Sequence, residues 1–216
     1  MLQETKTTIC NKALSLCGED PINSVQDDTN LQARSCRAHF DLALHKVLEE
    51  GHWPFVTVEE PLQKILAKEY SEEQKYLYSI PNNCAIITRI YKKYDRKNMM
   101  ENADWDLRFI ESLYKTVIVC DKNNVSDTEE ADPNEEVICE YVRAVDNFAS
   151  YPASFIETLS ACLAYMICMD ITKDTQKFTL LLQLYEKLRD SSLRRAYNED
   201  GEDKMHWVDP ITNSRG

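Results

Sequence analysis

Between Phe155 and Met169 the chain reads "FIETLSACLAYMICM". Phe155, Ile156, Leu159, Cys162, Leu163, Met166, Ile167 and Met169 wrap most of a helical circumference, so a helix built here has to be surrounded by other elements. It is expected to be the most buried part of the fold. Pro152 suits its first turn. The apolar run from Phe155 to Ile171 holds Glu157 and Asp170 and is shorter than the ~20 residues that a bilayer core demands, which favours a core helix over a membrane span.

Three other segments have the period to surround it. In "TTICNKALSLCG", Ile9, Ala13, Leu16 and Cys17 line one helical face, Gly18 stands where a left-handed C-terminal cap is wanted, and Pro21 prevents the helix from resuming. A second helix opens in "DDTNLQ", where Thr29 and Gln32 have capping-box spacing and Asp28 is an alternative cap. Its stripe is Ala33, Cys36, Phe40, Ala43, Leu44, Val47 and Leu48, and Gly51 closes it. Ile22 and Val25 are expected to tuck the connecting loop onto the core. Phe178, Leu181, Leu182, Tyr185 and Leu188 mark a last helix ending near Tyr197.

From Trp53 to about Val145 the period changes. "WPFVTV", "KYLYSIPNNCAIITRIYKKY", "WDLRFI", "YKTVIVC" and "EVICEYVRAV" are rich in β-branched and aromatic residues and read as strands, the second stretch as two around a Pro-Asn turn. Leu62 to Tyr70 reads as either a short helix or a loop. The acidic segment Asp121 to Glu136 lacks the central Gly of a calcium loop and is expected to be a solvated hairpin loop. The expected fold is therefore mainly α. It is an antiparallel bundle of about four helices from residues 1–52 and 150–197, with a small antiparallel β-domain inserted at 53–149. Residues 198–216 form an extended C-terminal arm. That arm has no helical period yet carries Met205, Trp207, Val208 and Ile211, the candidate partner-binding residues.

Composition removes several functions. The four glycines, at 18, 51, 201 and 216, are too far apart for a P-loop or a dinucleotide fingerprint. A net charge of −12 disfavours binding to phosphate backbones. The eight cysteines form no CxxC and mostly lie in apolar strings, as buried reduced thiols do. With a polar N-terminus and no signal peptide, folding in a cytoplasm is expected.

The best material for chemistry is Cys17, Cys36 and His39, with Asp20, Asp27 and Asp28 between them, all ligand types for zinc. Three ligands fall short of a closed site, and Cys36 belongs to the apolar stripe. Cys17 and Cys36 are expected instead to face each other as small buried thiols. His39 and His45 lie six apart rather than the four of HExxH, and no serine sits in a G-x-S-x-G elbow. No catalytic, metal-binding or cofactor-binding residue is assigned.

The order of these features resembles the tail tubular protein A family, the head-to-tail adaptors of short-tailed phages. Gly18, Pro21, the acidic turn at Asp27 and Asp28, then Ala33, Arg34 and Arg37, and the W-x-F exit of Trp53 and Phe55 are similar to the family's opening. "YLYSIPNNCAIITRI" resembles its aromatic strand, Pro and following strand. Asp146, Pro152, Phe155, Leu159 and Ala164 resemble its Asp, its Pro/Phe turn and its buried third helix. Asn83 stands where the family often has Asp, the acidic loop is this chain's own, and the C-terminal arm does not align. The resemblance implies a helical bundle with a small β-domain, and a virion protein of the tail or neck, assembled in the host cytoplasm. It implies a ring of twelve copies between the portal and the tail tube or nozzle. Genomic DNA would pass through without sequence-specific binding, and no cofactor, membrane or catalytic residue is involved. The C-terminal arm is then expected to clasp the portal or a neighbouring subunit. The alternatives are a metal-dependent hydrolase built on Cys17, Cys36 and His39, and an intracellular helical interaction module.

Overall fold

A computed structural model describes residues 5–65, 76–94, 99–122, 136–144 and 147–199. The chain divides into two compact units. One is Met1–Phe55 together with Asn147–Gly216, and the other is Val56–Asp146.

The described part of the first unit is helical: α1 (Lys6–Cys17), α2 (Leu31–Glu49), α3 (Ala153–Ile171) and α4 (Thr175–Glu199). Thr5 and Thr8 form a reciprocal capping box at the start of α1. Gly18 ends it at φ +73°, a left-handed conformation that costs glycine nothing. On the inner face of α1, Leu14 is buried, whereas Leu16 is 40% exposed and does not join the core. Lys177 of α4 donates to the Cys17 carbonyl at 2.7 Å, placing a cation on the negative end of α1. The loop that follows is pinned as well as packed. Ile22 and Val25 are buried, and the Asn11 amide bonds both the N–H and the C=O of Ile22, at 2.8 and 3.0 Å. The cap of α2 is Asn30, whose side chain accepts from Ala33 N–H, and not Thr29 or Asp28. Asp27 draws the N–H and hydroxyl of Thr29 into a turn of its own at 2.9 and 2.7 Å, so Thr29 is not available to the helix.

Helix α3 is the hub, with α1, α2 and α4 all packed on it. Most of its length is buried, from Phe155 to Cys168. By length and composition it is apolar enough to cross a bilayer, contrary to the expectation drawn from Glu157 and Asp170, but here other helices cover it. Its buried hydroxyls are satisfied. Thr158 and Ser160 donate to the carbonyls of Ser154 and Ile156 in their own helix, and Thr158 Oγ1 lies 2.9 Å from Ser192 Oγ of α4.

Six aromatic rings close one part of this unit in edge-to-face contacts. Trp53 stands 4.8 Å from Phe155, Phe55 lies 5.2 Å from both Phe155 and Tyr151, and Phe148 touches Phe40 at 5.4 Å and Tyr151 at 5.7 Å. Trp53 is 1% exposed, and its indole N–H donates to the Val47 carbonyl at 2.9 Å.

The described part of the second unit has the strands β1 (Thr57–Pro61), β2 (Tyr76–Tyr78), β3 (Cys84–Tyr94), β4 (Met99–Asn102), β5 (Trp105–Ile110), β6 (Lys115–Cys120) and β7 (Glu136–Arg143). They form two antiparallel sheets, ordered β1-β7-β3-β4 and β2-β6-β5. Tyr78, Ile118 and Cys120 of the second sheet share one buried cluster with Ile90, Val137, Cys139 and Tyr141 of the first, so the sheets pack face to face.

This corrects the expected fold class. Helices make up 49% and strands 26% of the described residues, so the chain is mixed α and β rather than mainly α with one small inserted sheet. The reason lies in the two most apolar strands. Val117 to Cys120 are all buried, as are Val137 to Val142. One face of each strand meets the other sheet, and the alternate residues Val117 and Val119 of β6 are buried in a second cluster with Leu77, Ile65, Ile110 and Leu113, so the strands need more cover than one small sheet provides. Two connections change with it. The Pro81-Asn82-Asn83 turn, with Asn83 at φ +57°, passes from β2 in one sheet to β3 in the other. The acidic segment from Asp121 to Glu136 likewise joins strands of different sheets and is not a hairpin loop; most of it lies outside the described residues.

Replacing Trp53 tests the aromatic cluster. Trp53→Ala should destabilise the protein by roughly 3–5 kcal/mol. Trp53→Phe keeps a ring but strands the Val47 carbonyl and should cost roughly 1–2 kcal/mol. Both are read from chemical denaturation midpoints at unchanged slope.

Candidate functional site

The candidate metal ligands separate when their partners are traced. Cys17 is fully buried and its Sγ contacts the Ala164 carbonyl of α3 at 3.4 Å. Burial first, then the neighbouring Cys168, pushes its thiol up to about 12, so it is neither a ready thiolate nor a nucleophile. Cys36 does not face Cys17 as its main partner. Its thiol interacts instead with that of Cys10 of α1, and this interaction, ahead of burial, drives the Cys10 thiol upwards. Cys10 and Cys17 stand seven positions apart, two turns along one face of α1. Helical period therefore offers both thiols to α2 equally, and packing decides which of them Cys36 meets.

His39 has a different partner again. Its Nε2 lies 3.0 Å from Asp170 Oδ2, and the Ser35 hydroxyl donates to the same oxygen at 3.1 Å. A serine, a histidine and an aspartate thus meet, but the carboxylate is the central member. In a nucleophilic triad the imidazole stands between the other two and takes the hydroxyl proton. Here the hydroxyl is spent on Asp170, so the trio is an inter-helix clasp between α2 and α3. The His39 bond, then burial acting against it, sets the balance that holds the Asp170 carboxyl below its ordinary value. Asp27 is occupied by Thr29, and Asp28 pairs with Arg37. Among the described residues, no group of three or more His, Cys, Asp and Glu side chains is placed to hold a metal ion. Met205, Trp207, Val208 and Ile211 lie outside the described residues.

The strongest polar constellation belongs to no sequence motif. Glu50, at the end of α2, accepts from Lys46 at 2.5 Å, from Arg189 of α4 at 3.3 Å, and from the Tyr185 hydroxyl. Its side chain is only 22% exposed. Burial pushes the Glu50 carboxyl up, but the bonds from Lys46 and Tyr185 and the charges of Lys46 and Arg189 outweigh it, and the net shift is downwards. Tyr185 is driven the other way, by burial and then by its bond to the Glu50 carboxylate. Both cations sit at helical spacing from their neighbours, Lys46 four before Glu50 and Arg189 four after Tyr185. That spacing is visible in the sequence; that the two helices bring the pairs together is not. The group ties α2 to α4 and supplies charge for structure.

No protein-family model matches the chain, and no curated protein matches it. The candidate site therefore rests on geometry and on the residues themselves.

The Glu50 cluster gives a pH dependence with a definite sign. A carboxyl depressed in the folded state adds stability that is fully present above its ordinary value and is lost as pH falls through the lowered folded value. Glu50→Gln should cost roughly 1–3 kcal/mol at neutral pH. The gap between variant and parent should close on acidification through that window, as followed by thermal melts across a pH series.

Proposed function

We propose that this chain is a structural virion protein, a head-to-tail adaptor of a short-tailed phage. In this reading it assembles as a ring of twelve copies between the portal and the tail tube or nozzle, with genomic DNA passing through. The carrying observation is where two separate parts of the resemblance come to lie. The W-x-F exit, Trp53 and Phe55, and the Pro/Phe return, Pro152 and Phe155, are far apart in sequence. In the fold their rings pack directly together, Trp53 against Phe155 at 4.8 Å and Phe55 against Phe155 at 5.2 Å. The chain leaves the helical unit and re-enters it through this one cluster. Residues of the two blocks thus share one core, which supports reading them as parts of one motif.

Two further features support it. The net charge of −12 suits a wall past which DNA slides, because it disfavours a grip on phosphates. The polar residues that most resembled chemistry are engaged in holding helices together, with Cys17 on α3, Cys36 on Cys10 and His39 on Asp170. The C-terminal arm is assigned to the portal or a neighbouring subunit through Met205, Trp207, Val208 and Ile211.

Electron microscopy of the purified protein mixed with portal rings tests the assignment. A ring of this chain stacked on the portal is expected, and a chain that stays off the portal would sink it. Removing residues 199–216 should abolish that attachment while leaving the circular dichroism spectrum of the helices in place. In a gel-shift assay at physiological salt, duplex DNA should run unretarded.

A further inference from the structure

Strand β5 ends its sheet, and no described strand pairs with its outer side. One bond sets which residues face that open edge. Asp121 N–H donates to the Asp104 carbonyl at 3.1 Å, just before β5 begins. In an antiparallel ladder bonding groups alternate along the strand. With Trp105 opposite Cys120 and Leu107 opposite Ile118, the backbone of Asp104, Asp106 and Arg108 is therefore turned to β6. Trp105, Leu107 and Phe109 turn their N–H and C=O groups to the open edge.

The side chains there are equally unfinished. Leu107 is 45% exposed and Phe109 is 62% exposed. The other outer strands carry protection of the kinds that natural sheets use. β1 presents Glu59 and Glu60 and ends on Pro61, which has no N–H to offer. β2 is covered by the bridge from Lys64 to Tyr78 and by Ile65 N–H donating to the Leu77 carbonyl. β4 is four residues long. β5 has six residues, no proline, and one acid balanced by one base.

Its sequence is symmetrical in chemistry. Trp105-Asp106-Leu107-Arg108-Phe109 reads aromatic, acidic, aliphatic, basic, aromatic in one direction and aromatic, basic, aliphatic, acidic, aromatic in the other. Lay a second copy antiparallel with Leu107 at the centre. Leu107 then meets Leu107, Trp105 meets Phe109, and Asp106 meets Arg108 twice over. The register that matches side chains also matches backbone, since the residues that meet as mutually bonded pairs are the three whose groups face the edge. Arg108 Nε reaches Asp106 Oδ2 within the strand at 3.4 Å, so both charges lie on one face of it.

We propose that β5 is a self-pairing edge, through which two copies of this chain join antiparallel about a two-fold axis centred on Leu107. The contact is isologous, unlike the head-to-tail contacts of a ring, and it stands independently of the adaptor reading.

Sedimentation velocity on the full chain across a concentration series tests it. The parent should show a reversible dimer. Asp106→Arg and Arg108→Asp each oppose like charges at both ends of the contact and should weaken it at least about tenfold. Mixing the two single variants should restore a dimer, because each then supplies the charge the other lacks, and the double variant D106R/R108D should dimerise alone. Thermal melts of each variant at low concentration verify folding. Hydrogen exchange supplies a second readout: the Leu107 and Phe109 amides should slow with rising concentration while that of Arg108, already bonded to β6, stays constant. A parent that is monomeric at all concentrations would overturn the proposal. So would an assembly of any size that is indifferent to both single variants, or an exchange pattern without the alternation.

Discussion

The burial of α3 is the constraint from which the helical unit follows. Its apolar residues occupy too many directions for one partner helix to cover, and leaving a single large side chain in water forfeits roughly 1.5–3 kcal/mol. Three helices close around it, and each meets it differently. α1 brings Cys17 to the Ala164 carbonyl, a contact that spans 147 positions of sequence. α2 brings Ser35 and His39 to Asp170 at its far end. α4 brings Ser192 to Thr158. Ala161 and Ala164 are fully buried in α3, and the hydroxyls of Thr158 and Ser160 bond to carbonyls of their own helix. One consequence is kinetic. The inner faces of α1 and α2 find their main partner only after the whole β unit has intervened, so the helical unit depends on contacts of high sequence separation, which form slowly.

Helix faces were legible because burial on one side leaves a period of 3.6 in the sequence, and α2 shows it in every residue from Ala33 to Leu48 that was expected to be buried. Gly18 was legible because only one backbone conformation there wants glycine. The cap of α2 was not. Thr29, Asn30 and Asp28 are all good caps by type, and the choice fell to Asn30 because Asp27 captured Thr29 first. Strands were legible one at a time from their β-branched and aromatic residues, except β4, whose "MMEN" has no such signature. Their pairing was not legible. Register and sheet membership are decided by what covers each face, and adjacency in sequence suggested hairpins that the packing of two sheets overrides.

The candidate site shows the same division between type and arrangement. Periodicity placed Cys36 on the buried stripe correctly but carried no information about which thiol it would meet. It showed Lys46 and Glu50 a turn apart, yet the value of that pair comes from Tyr185 and Arg189 arriving from α4. Scattered metal-like residues became a set of separate inter-helix ties once each had a partner. Chemistry that looks concentrated along a sequence is often dispersed by folding, and groups that look unrelated are brought together.

Charge limits how such a chain associates with itself. Every copy carries −12, so two copies repel at long range, although physiological salt screens that repulsion beyond about 8 Å. What remains is the local composition of the touching surfaces. An acidic face meeting an acidic face gains nothing, and at the edge of β1 Pro61 also withholds an N–H. A contact that holds has to be locally neutral and largely apolar. Trp105 to Phe109 meets that condition with one acid and one base among apolar residues. An acidic chain that assembles at all must do so through segments of this kind, which narrows the search for its contacts to a small part of its surface.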